Sequence, residues 1–269
     1  MTKEEKLKSR QEENLIRLKN FCLMDDDFMT VCFENDIEGI QLVLRIILDE
    51  SDLIVTDVKT QCFMKNLQKR SVRLDIFATN SKGKKFNIEV QREDKGASPK
   101  RARYNSSLID AKILEMGQDF EKLPETYVIF ITENDVLGEG MPLYHIDRNV
   151  LETKKAFGDE THIIYVNGQY RGNNPLGHLM SDFHCTEASK MYYNELKQRV
   201  QYFKETKEGS EKMCKAMEDA IERERADAKI EAQAEILSAM YESGMALERI
   251  SEVVKMPVSE VERLIRELE

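Results

Sequence analysis

The chain has 269 residues, 33% of them charged and 41% hydrophobic, with a formal net charge of −10. That length suits one substantial core with an appendage, and no apolar run reaches membrane length. The charged start MTKEEKLKSR argues against a secretion signal, and five scattered cysteines without CxxC spacing argue against a disulfide framework. A cytoplasmic protein with reduced thiols is expected.

In chain order, residues 1–20 read as a charged N-terminal tail or helix, with Leu15, Ile16 and Leu18 near its end. Residues 21–185 carry the β-rich signals. EGIQLVLRIILDE (38–50) fits a helix buried on one side, and DLIVTDVKTQCFM (52–64) fits a strand. A hairpin follows, with strands 71–79 and 84–91. SPKRARYNSSLIDAKIL (98–114) reads as a helix with Ser98 as N-cap and Pro99 at the first helical position. TYVIFIT (126–132) and THIIYVNG (161–168) read as strands. The order helix, three strands, helix, strand predicts an α/β layered domain. Residues 186–234 read as a charged helical linker. Residues 235–269 read as a small helix-turn-helix-like domain, with breaks at Gly244 and at Met256-Pro257. Its predicted apolar stripe is Ile236, Met240, Leu247, Ile250, Val253, Val254, Val261, Leu264 and Ile265. The last helix, SEVERLIRELE, holds more acids than bases, the reverse of a DNA-reading helix. Packing or self-association, as in a homodimer through these helices, is favoured there over base readout.

Charge is unevenly spread. Between Lys65 and Tyr104, twelve Lys or Arg stand against four Asp or Glu, a local balance of +8, so the remainder sums to −18. Such asymmetry points to a polyanion partner. The plainer alternative is a solvated hairpin edge.

The hairpin VRLDIFATNSKGKKFNIEVQRED (72–94) sets one acid in each strand. Side chains alternate with period two, so Arg73, Asp75 and Phe77 share a face, and Leu74, Ile76 and Ala78 the other. In the second strand Asn87, Glu89 and Gln91 oppose Phe86, Ile88 and Val90. A three-residue loop, Ser81-Lys82-Gly83, pairs Asn80 with Lys84 and so sets Asp75 opposite Glu89, with Cβ atoms roughly 5 Å apart. Unshared carboxylates that close repel, so a metal or a basic partner is expected. Oxygen donors suit Mg²⁺, Mn²⁺ or Ca²⁺, with the Val90 carbonyl as a candidate third ligand. On 98–114, Lys100, Arg101, Arg103 and Tyr104 crowd a first turn suited to phosphate, and Arg73, Lys84 and Lys85 extend that surface. The histidines offer no zinc spacing, although His145 and Asp147 are close enough in sequence to share a hydrogen bond.

RLD…IEVQ resembles the PD-(D/E)XK nuclease superfamily, and more closely its recombination-promoting nuclease group, the PD-(D/E)XK family transposases. The resemblance runs over roughly residues 20–180 and includes DDDFMTVCFEN, KRARYNSSL and LYHIDRN…FGDETHIIYVNG. It implies a restriction-endonuclease-like core, with a mixed central sheet flanked by helices and an α-helical C-terminal extension. It further implies a Mg²⁺-dependent DNA endonuclease in recombination or mobile-element processing. Asp75 and Glu89 fall on the metal-binding positions. Members of the superfamily often add an acid from the first helix, which makes Glu38 a weaker candidate ligand, explained at least as well as an acid at a helix N-terminus. Gln91 stands where most of the superfamily has a catalytic Lys. Gln can orient water or phosphate but carries no charge, so Arg73, Lys85 or Arg101 are the candidates to supply it. A catalytically weak or inactive DNA- or protein-binding module on the same fold is the alternative.

Overall fold

The computed structural model describes the backbone of residues 3–64 and 71–266, with side chains from Glu12 onward except Glu224, Asp227 and Glu231. Lys65, Lys69 and Arg70, three cations of the basic stretch, lie outside the described residues. Two compact units are present, 3–64 with 71–214, and 215–266.

The first unit is built on a six-stranded mixed sheet. Its strands are β1 (Val55–Met64), β2 (Val72–Asn80), β3 (Lys85–Gln91), β4 (Thr126–Thr132), β5 (Leu143–Ile146) and β6 (Thr161–Asn167), in the order β1-β2-β3-β4-β6-β5. β3, β4 and β6 run parallel, and the remaining pairings are antiparallel. β4 is buried at all seven positions, as a central parallel strand should be. Four-residue β5 was not foreseen: LYHI is too short and too exposed to leave a strand pattern.

Helices cover both faces: α1 (Lys3–Asn20), α2 (Asp26–Phe33), α3 (Ile37–Leu48), α4 (Pro99–Ile113), α5 (Pro175–Phe183) and α6 (Asn194–Glu205). In α3 the Asp36 carboxylate accepts from Gly39 N, and Ile40, Val43, Leu44 and Ile47 are buried at helical spacing. In α4 the Ser98 hydroxyl accepts from Arg101 N and Pro99 opens the helix, as expected. Ala102, Leu108 and Ile109 of α4 pack in one cluster with Val128, Phe130 and Tyr165. Each such side chain contributes about 1.5–3 kcal/mol when fully buried.

Of the two expected forms of the N-terminal segment, α1 is the helix, and its end is anchored: Leu18 and Asn14 are buried, while Leu15 and Ile16 are exposed. The predicted linker 186–234 is not free over its first part. Leu196, Val200 and Phe203 of α6 are buried, and Arg199 donates to the carbonyls of Cys32 and Glu34 at 2.7 and 3.1 Å. Lys204 Nζ donates to the carbonyls of Lys19, Phe21 and Thr186.

The second unit holds the end of α7 (Lys207–Glu242), α8 (Leu247–Val254) and α9 (Val258–Arg266), with the breaks at the expected residues. Ala234, Leu237, Ile250, Val261, Leu264 and Ile265 form its core. Ile236 and Val253, placed in the apolar stripe by sequence, are exposed.

Candidate active site

The hairpin register follows from its loop. Gly83 N donates to Asn80 O at 3.0 Å, Asn80 N donates to Lys84 O at 3.2 Å, and Gly83 takes φ 82°, a left-handed value that favours glycine. The ladder pairs Ile76 with Ile88 and Thr79 with Lys85; one step further along, Asp75 stands opposite Glu89, as predicted.

At that step side chains take over from the main-chain ladder. Val90 N donates to Asp75 Oδ2 at 3.0 Å, and Asp75 N donates to Glu89 Oε1 at 3.4 Å. Gln91 Nε2 also donates to Asp75 Oδ2 at 3.4 Å. The three sequence-predicted residues are therefore joined to one another. Leu74 and Phe77, three apart, belong to a single cluster, so strict alternation fails between them. The expected grouping of Leu74 with Ile76 and Ala78 is corrected accordingly. α4 lays Arg101 against Glu89, which is fully buried, and Asp75 is 8% exposed.

Burial is the main influence on both acids. It pushes Asp75 well above its ordinary value of 3.8, and the negative charges of Glu89 and Asp26 push it further; the Val90 N–H and Arg101 oppose this. Burial likewise raises Glu89, against the pull of Arg101. Arg101, foreseen as a phosphate ligand, points inward: its Nη2 lies 2.7 Å from Glu89 Oε2 and its Nη1 donates to Gly96 O at 3.0 Å. Gly96 is a packing requirement of the same site. A Cβ there would sit 1.9 Å from Gln91 Oε1, so any larger residue displaces the amide.

The donor set is all oxygen, which fits a hard divalent cation. A strand residue projects its N–H and C=O to the same edge. The Val90 carbonyl therefore lies on the β2 edge beside Asp75, while Gln91 O on the β4 edge accepts from Glu133 N at 2.9 Å. Among the described residues, no three His, Cys, Asp or Glu side chains converge as a ready-made cage. Asp75, Glu89 and the Val90 carbonyl are the oxygen donors here that could hold such a cation. Glu38 does not join them: it is exposed in the first turn of α3, where the helix dipole accounts for it.

A family model for the PD-(D/E)XK nuclease family transposases matches residues 40–249. The chain belongs to that family. Searches of curated proteins and of solved structures found no match. The family match begins inside α3 and runs through α7 into α8. It is thus shifted C-terminally from the resemblance over 20–180, and it leaves Asp26 outside. A nuclease-type activity is the class this family supports, and the mixed sheet with flanking helices and C-terminal helices is consistent with its fold.

Around the pair of acids in this PD-(D/E)XK chain, the expected basic residues divide into two groups. Arg73, Lys100 and Arg103 are exposed, the first two residues from Asp75 and the others on the first turns of α4. Tyr104 is half-buried against the α4 cluster. Lys84 and Lys85 are four to five residues from Glu89, roughly 13–16 Å along the strand, and each has other work. Lys84 pairs with Glu125 at 2.9 Å and Glu50 at 3.9 Å, and Lys85 donates to Thr79 Oγ1 at 3.0 Å. Asp147 pairs with His162 at 2.7 Å, rather than with His145. No helix among the described residues is long and apolar enough to cross a membrane.

Two contributors escaped the sequence reading. Asp26, in the first turn of α2, acts on Asp75 by charge. Gln61, in β1, donates to Asp26 Oδ1 at 3.3 Å. The run Asp25-Asp26-Asp27 was visible, but nothing local says which acid turns toward β2.

Proposed function

We propose that this chain is a divalent-metal-dependent DNA endonuclease that hydrolyses phosphodiester bonds in the cytoplasm, in recombination or mobile-element processing. The observation that carries the reading is the joined pair Asp75 and Glu89, two buried carboxylates on adjacent strands of a PD-(D/E)XK family chain. Asp75, Glu89 and the Val90 carbonyl would hold Mg²⁺, with Mn²⁺ or Ca²⁺ as substitutes. When bound, such an ion polarises a phosphate and makes water a better nucleophile at neutral pH. Gln91, packed against Gly96 and reaching Asp75, orients water or a phosphate oxygen with its amide. Arg101 holds Glu89 in place and opposes the rise that burial imposes on it. Exposed Arg73, Lys100 and Arg103 grip the DNA backbone without reading sequence.

The test is nicking of supercoiled plasmid with Mg²⁺, Mn²⁺, Ca²⁺ or EDTA, comparing wild type with Asp75→Ala and Glu89→Ala. Cleavage that needs a metal and both carboxylates is expected. Neutral Gln91 at the Lys position favours one second reading, a binding module with little or no catalysis. Retained DNA binding without cleavage under any metal would establish that reading instead.

A further inference from the structure

β1 contains a backbone feature with no counterpart elsewhere in the sheet's described strands. Gln61 has φ 50°, inside the left-handed region, in the middle of a strand. A non-glycine residue there is strained, and such outliers persist where surrounding structure imposes them. Its flanking residues remain paired, Thr60 with Ile76 and Cys62 with Leu74, so Gln61 stands directly across from Asp75. This is also where β2 loses strict alternation, between Leu74 and Phe77. The Asp75 carboxylate then accepts from a β3 main-chain donor, Val90 N, instead of standing out from one face. On its other side, Gln61 Nε2 donates to Asp26 Oδ1 at 3.3 Å and Thr30 Oγ1 at 3.0 Å, and Thr30 Oγ1 donates to the same Asp26 oxygen at 3.4 Å. One residue thus touches both the strand that carries Asp75 and the helix that carries Asp26.

We propose that Gln61 is a positioning residue for the metal site: its left-handed backbone aims the Asp75 carboxylate along the sheet toward β3, and its amide holds Asp26 beside that carboxylate. The inference rests on the metal reading above. Without the left-handed step, β2 would keep its pleat past Asp75 and the carboxylate would face α4 or the opposite layer. Without the amide, the Asp26 side chain would lose one of the contacts that fix it. Asp26 is not among the proposed ligands; tied to Gln61 and Thr30, it would serve as an outer contact to the ion's water, the kind whose loss commonly weakens metal binding 10–100-fold.

The experiment uses the full chain, Mn²⁺ titration by calorimetry, and thermal unfolding in EDTA. Gln61→Gly keeps the left-handed backbone at no steric cost and removes the side chain with its amide. Gln61→Thr, β-branched, opposes that backbone altogether. Expected are a Tm for Gln61→Gly equal to or above wild type with about tenfold weaker Mn²⁺ binding, and a loss of about a hundredfold for Gln61→Thr. Asp75→Asn serves as the reference for the site. Wild-type Mn²⁺ affinity in Gln61→Gly, alongside weakened binding in Asp75→Asn, would overturn the role of the Gln61 amide, and wild-type affinity in folded Gln61→Thr would overturn the role of its backbone, while leaving the metal site standing. If Gln61→Thr fails to fold, Gln61→Ala replaces it: it lacks the amide as glycine does but disfavours the left-handed backbone, so affinity equal to that of Gln61→Gly would overturn the backbone role. Wild type that binds no Mn²⁺, or Asp75→Asn that binds it normally, would overturn the metal reading and the inference together.

Discussion

Replacing Arg101 with Met removes the cation from a fully buried Glu89 while keeping an unbranched apolar stem. At 2.7 Å and an effective dielectric of 20, the pair attracts by 332 divided by 20 and by 2.7, about 6 kcal/mol before desolvation. That figure cannot all appear as lost stability, because Glu89 has a cheaper escape. It can take up a proton. From its ordinary value of 4.5, protonation at pH 7 costs at most about 3.4 kcal/mol, at 1.36 kcal/mol per pH unit. At pH 5 the same ceiling falls to about 0.7 kcal/mol. Glu89 already lies above 4.5 in the wild type, and Arg101 is 36% exposed and partly screened, so the true values are smaller. The lost bond to Gly96 O adds about 1 kcal/mol at every pH.

The sign follows from linkage. An acid whose folded value is raised binds more protons in the folded state than in the unfolded one. Its penalty is absent below pH 4.5 and grows as pH rises toward the folded value. Arg101→Met extends that window upward, so the variant's deficit must widen from pH 5 to pH 7, by about 2 kcal/mol. Urea unfolding followed by circular dichroism in EDTA, at both pH values, measures it. A deficit equal at pH 5 and pH 7 would refute the argument that Arg101 neutralises a buried charge, and would leave only packing and the Gly96 bond.

Other outcomes follow from the same geometry. Asp75→Asn preserves an acceptor for Val90 N while deleting a buried charge, so it should stabilise the metal-free fold at pH 7 by about 1–2 kcal/mol while abolishing cleavage; a lower Tm would contradict this. Both carboxyls titrate above their ordinary range, so Mn²⁺ binding should release protons and tighten as pH rises from 5 to 7. Calorimetry in buffers of different ionisation enthalpy counts those protons, and a count of zero would show that neither acid meets the ion. Gly96→Ala should displace the Gln91 amide and cut nicking about tenfold or more, leaving Mn²⁺ affinity near wild type because Asp75 and Glu89 remain. Unchanged nicking would remove Gln91 from the mechanism.

Much of the sheet was legible because strand pattern and turn chemistry agree. A Gly after Ser81-Lys82 sets the loop, the loop sets the register, and the register alone brings Asp75 across from Glu89. Ser98-Pro99 announces α4 in the same local way. What stayed hidden is long-range or conformational. Asp26 reaches Asp75 only through the packing of α2 on the sheet. The left-handed step at Gln61 leaves no residue signature, since glycine or asparagine would be its usual marker and glutamine is not. Arg101 was read as a phosphate ligand from its place in a helix's first turn. That pattern cannot tell an outward guanidinium from one drawn in by a buried carboxylate.

The charges around Asp75 explain why this site suits a divalent ion and how it can work with Gln91. Asp26, Asp75 and Glu89 carry three negative charges when ionised, and Arg101 returns one positive, leaving −2. In a half-closed, low-dielectric setting that imbalance is costly. Protonation relieves it at low pH, and a divalent ion would cancel it at neutral pH. A lysine at position 91 would instead leave −1, so the same ion would give a net positive site that attracts phosphate on its own. With Gln91, the loaded site is neutral. Under the proposed reading, attraction for the DNA backbone would come from outside it, from Arg73, Lys100 and Arg103, which are exposed on β2 and α4. On that reading the basic character of this stretch in an acidic chain would be the complement of the missing lysine, with the charge moved from the reacting centre to its rim.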